Sequence, residues 1–561
     1  MPLLNRRDFI KISSVLAGTA WLTTLTGCED VTLERPLNQT SIQFNHGVAS
    51  GDPQHDRLIV WTRVTPASPV TKVYLLLEVA LDANFSEQVR RFAVTAEAAA
   101  DYCCKVDVTG LVAGQRYFYR FADSNVQSPT GQGKTLATGD LTQLSLAVVS
   151  CSNYPAGYFH VYDAIAKHSG LDAVLHLGDY IYEYAADGYA SENAKALGRT
   201  LASNNDKELL SLDDYRRRYA LYRQDKALQA AHQAHSFIAV WDDHELANDS
   251  YIDGAENHQA NEGEFSKRKA AAIQAYLEWM PIRPLLMDGK PLYRHFHFGN
   301  LVSLYMLDTR LQARSKPLEY SDFMTGNGFA AQSFMQAMRD PNQQLIGMTQ
   351  LQWLQSEMLV SNAKWQVLGQ QILMARMQLP AELVSSLAAP SANLFKQLAE
   401  LGQLKQKPAA ELTPQQQQRL AQVLPYNLDA WDGYPLERER LYAMVRSQKK
   451  NIVVLAGDTH NAWSSTLKDA AGQTVGVELA TASVSSPGLE KYLGLTTPQA
   501  AQLAGLLPVL IDELDYCNLH QRGFLVLTFT PSHCLADWQF VDNINQPSYT
   551  LSSGHQRLLK A

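Results

Sequence analysis

The run Val174–Tyr184, VLHLGDYIYEY, is apolar up to Gly178 and then offers Asp179, Tyr182 and Glu183 in quick succession. The same change recurs at Ser150-Cys151, Trp241-Asp242-Asp243-His244, Leu307-Asp308 and Gly457-Asp458-Thr459-His460. Carboxylate, thiol, phenol and imidazole are the side chains that ligate cations. Gathered in one place, their negative charges would repel one another unless a cation sat among them, so a metal centre is the simplest chemistry for this set. The chain has no G-x-S-x-G elbow and no Gly-rich phosphate loop, which disfavours a serine hydrolase or a nucleotide-driven enzyme.

Residues so far apart in sequence meet only if the fold brings strand ends together. After Gln143, apolar runs that read as strands (LSLAVVS, DAVLHLGD, SFIAVWDD, LVSLYMLD, WQVLGQ, NIVVLAGD and FLVLTFT) alternate with helical stretches such as 263–280 and 348–360. That alternation predicts an α/β core over residues 143–545, with the carboxyl ends of its strands along one edge of a sheet. Residues 41–138 instead show short β-rich runs between turns and predict a small β-sandwich, whose GLVAGQRYFYRF stretch resembles a fibronectin type III-like corner. About 380–425, rich in Gln, Ala and Leu, reads as an insertion in which LTPQQQQRLAQVL forms a capped helix.

The totals fit a globular protein of more than one domain. The chain has 561 residues, of which 46% are hydrophobic and 19% charged. A net charge of −8 without a Lys/Arg cluster argues against specific nucleic-acid binding. At the N-terminus NRRDFIK, the apolar stretch after it and LTGC resemble a twin-arginine signal ending in a lipobox. Residues 1–27 are therefore expected to be a cleaved signal peptide read by the twin-arginine export machinery. Lipid on Cys28 would anchor the protein to a membrane in the periplasm or at the cell surface. Of the six cysteines, five then remain; an odd number leaves one without an intramolecular partner. Cys103, Cys104, Cys517 and Cys534 are disulfide candidates whose pairing the sequence leaves open, and Cys151 is the candidate ligand.

The ordered set SCSNYPAG, GDYIYEY, VWDDHE and AGDTHNAW, with FNHGVASGDPQHDRLIVWTRVTP near the start, resembles the PhoD-type alkaline phosphatases of the metallophosphoesterase superfamily. The resemblance implies a four-layer αββα sandwich behind the small N-terminal domain. It also implies an Fe3+ ion held by Cys151, Asp179, Tyr182 and His460, with Asp179 bridging to Ca2+. Anionic sulfur and oxygen ligands suit ferric iron. Asp243 and Asp458 stand where related enzymes carry Asn and His, and hard oxygen ligands favour calcium. Asn248 and, less directly, Asp242 complete the expected calcium set, with Asn461 as an outer contact.

His244 occupies the place of the superfamily's catalytic histidine and is expected to protonate the leaving group or stabilise the transition state, held by Glu245 or Asp242. The implied activity is hydrolysis of phosphate monoesters, and diesters too, by a metal-bound water or hydroxide. The alternatives are a phosphodiesterase for nucleic-acid fragments, teichoic-acid-like polymers or phospholipid head groups, and a non-catalytic surface-binding lipoprotein. Asp308 reads as either a site residue or the brace of a turn, WDGYPLERER as either active-site rim or helix entrance, and His232 and His235 as surface or packing residues.

Overall fold

The computed structural model describes residues 36–283, 291–326, 328–388 and 394–561. The expected signal segment and Cys28 lie outside the described residues. Two large sheets carry the fold, one of nine strands and one of seven. In the first, Leu144–Val149, Ala173–His176 and Ser236–Ala239 run parallel, with Ala147 opposite Val174 and Leu175 opposite Ile238. All three strands are buried throughout, as expected of central parallel strands covered on both faces. In the second, Val302–Met306, Trp365–Gly369, Ile452–Ala456 and Thr474–Ala480 are parallel neighbours.

Alternation of side chains along these strands determines the layering. Val453 and Leu455 join the core that also holds Val148, Leu175 and Ile238 from the first sheet. Ile452, Val454 and Ala456 turn the other way, onto Leu354, Leu441 and Leu503 of the helices Gly347–Val360, Pro435–Ser447 and Thr497–Leu510. On the far side of the first sheet, Ile165, Tyr219, Leu228 and Tyr276 come from the helices His160–Lys167, Leu212–Tyr222, Lys226–Ala234 and Phe265–Trp279. Both helices expected near 263–280 and 348–360 are present, as Phe265–Trp279 and Gly347–Val360.

The N-terminal strands form two facing sheets around Val60, Val73, Leu75, Tyr119 and Phe121. One of the two continues the large sheet. Val48–Gly51 pairs with Ser236–Ala239 in parallel, Ser50 opposite Ser236, and carries Arg57–Arg63 and Cys103–Thr109 beyond it. The nine-stranded sheet thus has no open edge there. In the stretch 380–425, Thr413 caps Pro414–Ala421 through a capping box with Gln416, and Gln378–Pro380 pairs with Val423–Pro425 at its base.

The disulfide expectation is corrected. Cys103, Cys104, Cys151, Cys517 and Cys534 are all free and buried. Cys103 and Cys104 are neighbours on one strand, so their side chains leave opposite faces: Cys103 enters the large core and Cys104 the sandwich core.

Candidate metal centre

Cys151, Asp179, Asp242, Asp243, Asp458 and His460 sit just past the ends of central strands, with Tyr182 and Asn248 further along the loops, and the backbone there is unusual. Cys151, Asp179, Asp458 and His460 have φ of 63°, 55°, 58° and 63°. Side chains other than glycine rarely adopt this left-handed region, at a cost of about 1–3 kcal/mol each, so the surrounding structure must hold it. Gly178, at φ 107°, precedes Asp179; a Cβ there would lie 2.4 Å from Asp242 Cβ. Only glycine lets the two strand ends approach so closely. Glu245 then fastens them, accepting hydrogen bonds from the Asp179 and Asp242 amides at 3.0 and 2.8 Å and from Tyr180 N at 2.5 Å.

One side of the site gathers Cys151, Asp179 and His460, with their ligating atoms all within 4.8 Å of one another. Tyr182 stands among them, donating to Asp179 Oδ2 at 3.1 Å and meeting His460 Nε2 at 3.0 Å and Ser486 Oγ at 2.7 Å. The Nδ1 of His460 lies 2.7 Å from the Pro487 carbonyl, an orientation that leaves Nε2 free to face the cluster. Burial, reinforced by Asp179, raises the Cys151 thiol and the Tyr182 phenol well above their ordinary values. Without a cation both stay protonated; a bound metal reverses this. Asp179 Oδ1 is buried with no hydrogen-bond partner, so the donor set and this orphaned oxygen fit a resident metal ion.

The other side is built from carboxylates. Asp242, Asp243 and Asp458 bring oxygens within 4.8 Å of one another, and Asp179 joins Asp243 and His244 in a neighbouring group. Asp242 Oδ2 is a second buried oxygen without a partner. The guanidinium of Arg310, fully buried, inserts here: Nε reaches Asp242 Oδ1 at 2.5 Å, Nη2 reaches Asp458 at 3.0 Å, and Nη1 reaches Asp429 at 2.8 Å. Asp429 also pairs with Arg314. Burial raises Asp458 to about 8 despite Arg310, and burial with Asp429 and Asp243 raises Asp249. The acidic excess of Asp242, Asp243 and Asp458 around Arg310 fits a further hard cation of the calcium type.

His244 lies against this cluster, but its holder is neither Glu245 nor Asp242. Fully buried Glu183 accepts from His244 Nδ1 at 2.7 Å, and also from Asn248 N and Asn257 Nδ2 at 2.8 Å each. Burial alone would lower the imidazole's pKa, yet Glu183, Asp243 and Asp179 together raise it well above its ordinary value. The ring packs on Tyr182 at 4.2 Å and Tyr184 at 5.3 Å between centroids. Asn248's side-chain nitrogen points to Glu256 Oε2 at 3.3 Å.

Several residues named from sequence take bracing roles. Asp308 accepts from Trp241 Nε1 and from the amides of Arg310 and Leu311 at 3.1, 3.0 and 2.9 Å, holding the turn that delivers Arg310. Asn461 accepts from Leu489 N at 2.9 Å. Within WDGYPLERER, Asp432 anchors Met377 N at 2.8 Å and Arg438 at 2.6 Å at a helix entrance. His232 stacks on Phe237 at 3.9 Å, and His235 hydrogen-bonds the Ile165 carbonyl at 2.9 Å. Arg310, Asp429, Asp249, Glu183 and Ser486 had no role in the sequence reading. Of these, only Glu183 stood inside a quoted motif, and Arg310 follows a strand-end Asp by two residues.

An α/β fold that gathers two clusters of ligand-type side chains at converging strand ends defines a phosphoric ester hydrolase once its relatives are compared. Residues 146–538 match the PhoD-like phosphatase family and residues 31–137 match its N-terminal domain. Alkaline phosphatase D of Bacillus subtilis (strain 168) is 32% identical, with 98% of this chain and 86% of that protein covered. The solved structure described as "Structure of PhoD" superposes with a TM-score of 0.74 at 30% identity, over 94% of this chain and 92% of the other. The chain belongs to the PhoD-like phosphatase family.

Proposed function

We propose that this phosphatase is an exported, metal-dependent enzyme that hydrolyses phosphate monoesters and also accepts diesters. Cys151, Asp179, Tyr182 and His460 would hold Fe3+; Asp179, Asp242, Asp243 and Asp458, with Asn248, would hold Ca2+. The observation that carries this reading is the pair of buried, unpartnered oxygens, Asp179 Oδ1 and Asp242 Oδ2, each inside a cluster of ligand-type atoms. When bound, the two ions supply Lewis acidity to the phosphoryl oxygens and acidify a nucleophilic water.

The protein's own contribution is orientation and proton handling. His244, held on Glu183 through Nδ1, directs Nε2 away from that carboxylate and is the proton donor for the departing alkoxide. Tyr182 and Tyr184 wall it in and limit water around the ring. At the rim Tyr189 stacks on Tyr492 at 6.0 Å and 11°, and Tyr492 is 61% exposed. This aromatic pair suits the organic part of an ester. The small-molecule reading is favoured over a polymer by the net charge of −8.

Support for export comes from NRRDFIK and LTGC, which also imply the lipid on Cys28 and a periplasmic or cell-surface location. The five free, buried cysteines suit a chain that folds in a reducing compartment before translocation, as the twin-arginine route requires. Turnover of p-nitrophenyl phosphate and its bis ester, with metal analysis of protein exported by its native route, tests the proposal. Activity on both esters with equimolar iron, plus calcium, is expected; zinc in place of both metals, or no turnover of either ester, refutes it.

A further inference from the structure

The strand Arg294–Phe298 is the outer edge of the seven-stranded sheet. Its even spacing sends Phe296 and Phe298 into the core between the sheets, while His295 and His297 stand exposed on the opposite face. Their rings lie 4.4 Å apart between centroids, inclined by 30°. Glu357, from the helix Gly347–Val360, places Oε2 3.2 Å from His295 Nδ1. One ligand atom from each of the three side chains lies within 4.8 Å of the others.

We propose that His295, His297 and Glu357 form a second metal site, separate from the hydrolytic centre, for a divalent late transition metal with zinc foremost. Two imidazoles and one carboxylate, open to solvent for a fourth ligand, are a zinc donor set. The nitrogen majority selects against calcium and magnesium, which take oxygen. His297 is already oriented. Its Nδ1 lies 2.9 Å from Ser303 Oγ, which lies 2.8 Å from Ser361 Oγ, so Nε2 is the nitrogen left for a ligand. Two adjacent imidazoles cannot both be comfortably protonated. The site shares no residue with the Cys151 cluster. Its bound ion would tie the sheet's edge strand to the helix beside it.

Equilibrium dialysis of the full-length enzyme against Zn2+ tests this, with His295→Ala/His297→Ala as the difference standard. The wild type should hold one more zinc than the double variant and, with Co2+, show a ligand-field band that the variant lacks. Ser303→Ala should weaken the extra zinc about 10-fold, since it leaves the ligands but removes their orientation. Zinc should raise Tm in the wild type and leave the double variant unmoved. Turnover of p-nitrophenyl phosphate without added zinc should be equal in both. Equal zinc content in the wild type and the double variant overturns the proposal. If the double variant does not fold, Glu357→Gln with an unchanged cobalt band does the same.

Discussion

The two halves of the candidate centre solve the same electrostatic problem in different ways. Around Cys151 and Tyr182, burial keeps the thiol and phenol protonated, and Tyr182 donates to the Asp179 carboxylate while Cys151 donates to Ser150 Oγ at 3.1 Å. Around Asp242 and Asp458 the groups are carboxylates, and Arg310 is built into the fold as a permanent partial counter-charge. The second half therefore needs positive charge even to fold, whereas the first draws on it far less. A buried guanidinium stripped of its carboxylates, or carboxylates stripped of it, is among the larger destabilisations available to a protein.

Asp179 belongs to both halves, so its removal should have the largest effect. Asp179→Asn is expected to lower kcat/KM by at least about 1,000-fold, the loss of several kcal/mol of charge stabilisation, and to reduce both iron and calcium on elemental analysis. Full retention of either metal would break the idea of a shared ligand. Arg310→Met separates the halves. It should destabilise the protein by about 3–5 kcal/mol, as leaving buried carboxylates unpaired does, and added calcium should recover part of the lost Tm. Cys151→Ala, by contrast, should abolish iron binding and its colour with a much smaller change in Tm. If both variants lose the same stability, the contrast drawn here is wrong.

Within the site, His244→Ala should reduce kcat by about 100- to 10,000-fold, the usual range for a positioned proton donor, while metal content stays at wild-type levels. Loss of metal in this variant would assign His244 to the ligand shell of the acidic half instead.

What could be read from the sequence follows the same division. Ligand-type residues at strand ends were legible because apolar runs that stop on Asp, Cys or His mark the edge where parallel strands converge, and Cys151, Asp179, Asp243, Asp458 and His460 do converge. The counter-charge was not legible. Arg310 and Asp429 are 119 residues apart and belong to no periodic pattern, so only the folded chain shows that they meet. The cysteine count required only one unpaired cysteine, whereas all five described are free; Cys103 and Cys104 could not pair because strand alternation sends them into different cores. Nor was the join of the N-terminal sandwich to the large sheet legible. A parallel pairing of Ser50 with Ser236 across 186 residues leaves no composition signal.

The smallest expected effect is at Glu183, which the chain places one residue after Tyr182 yet aims away from the Cys151 cluster. Its carboxylate collects His244, the Asn248 amide and Asn257, so it positions the histidine and the loop behind it without touching the reacting atoms. Glu183→Gln preserves the shape and one acceptor oxygen but gives up the charge that holds the imidazole. By analogy with other partners that orient a catalytic or ligating histidine, kcat should fall about 10- to 100-fold, with KM for p-nitrophenyl phosphate and both metals little changed. A merely structural role predicts something else: lower Tm and lower metal content together, with kcat per bound iron unchanged. Dividing turnover by iron content therefore decides whether Glu183 acts through His244 or only through the fold.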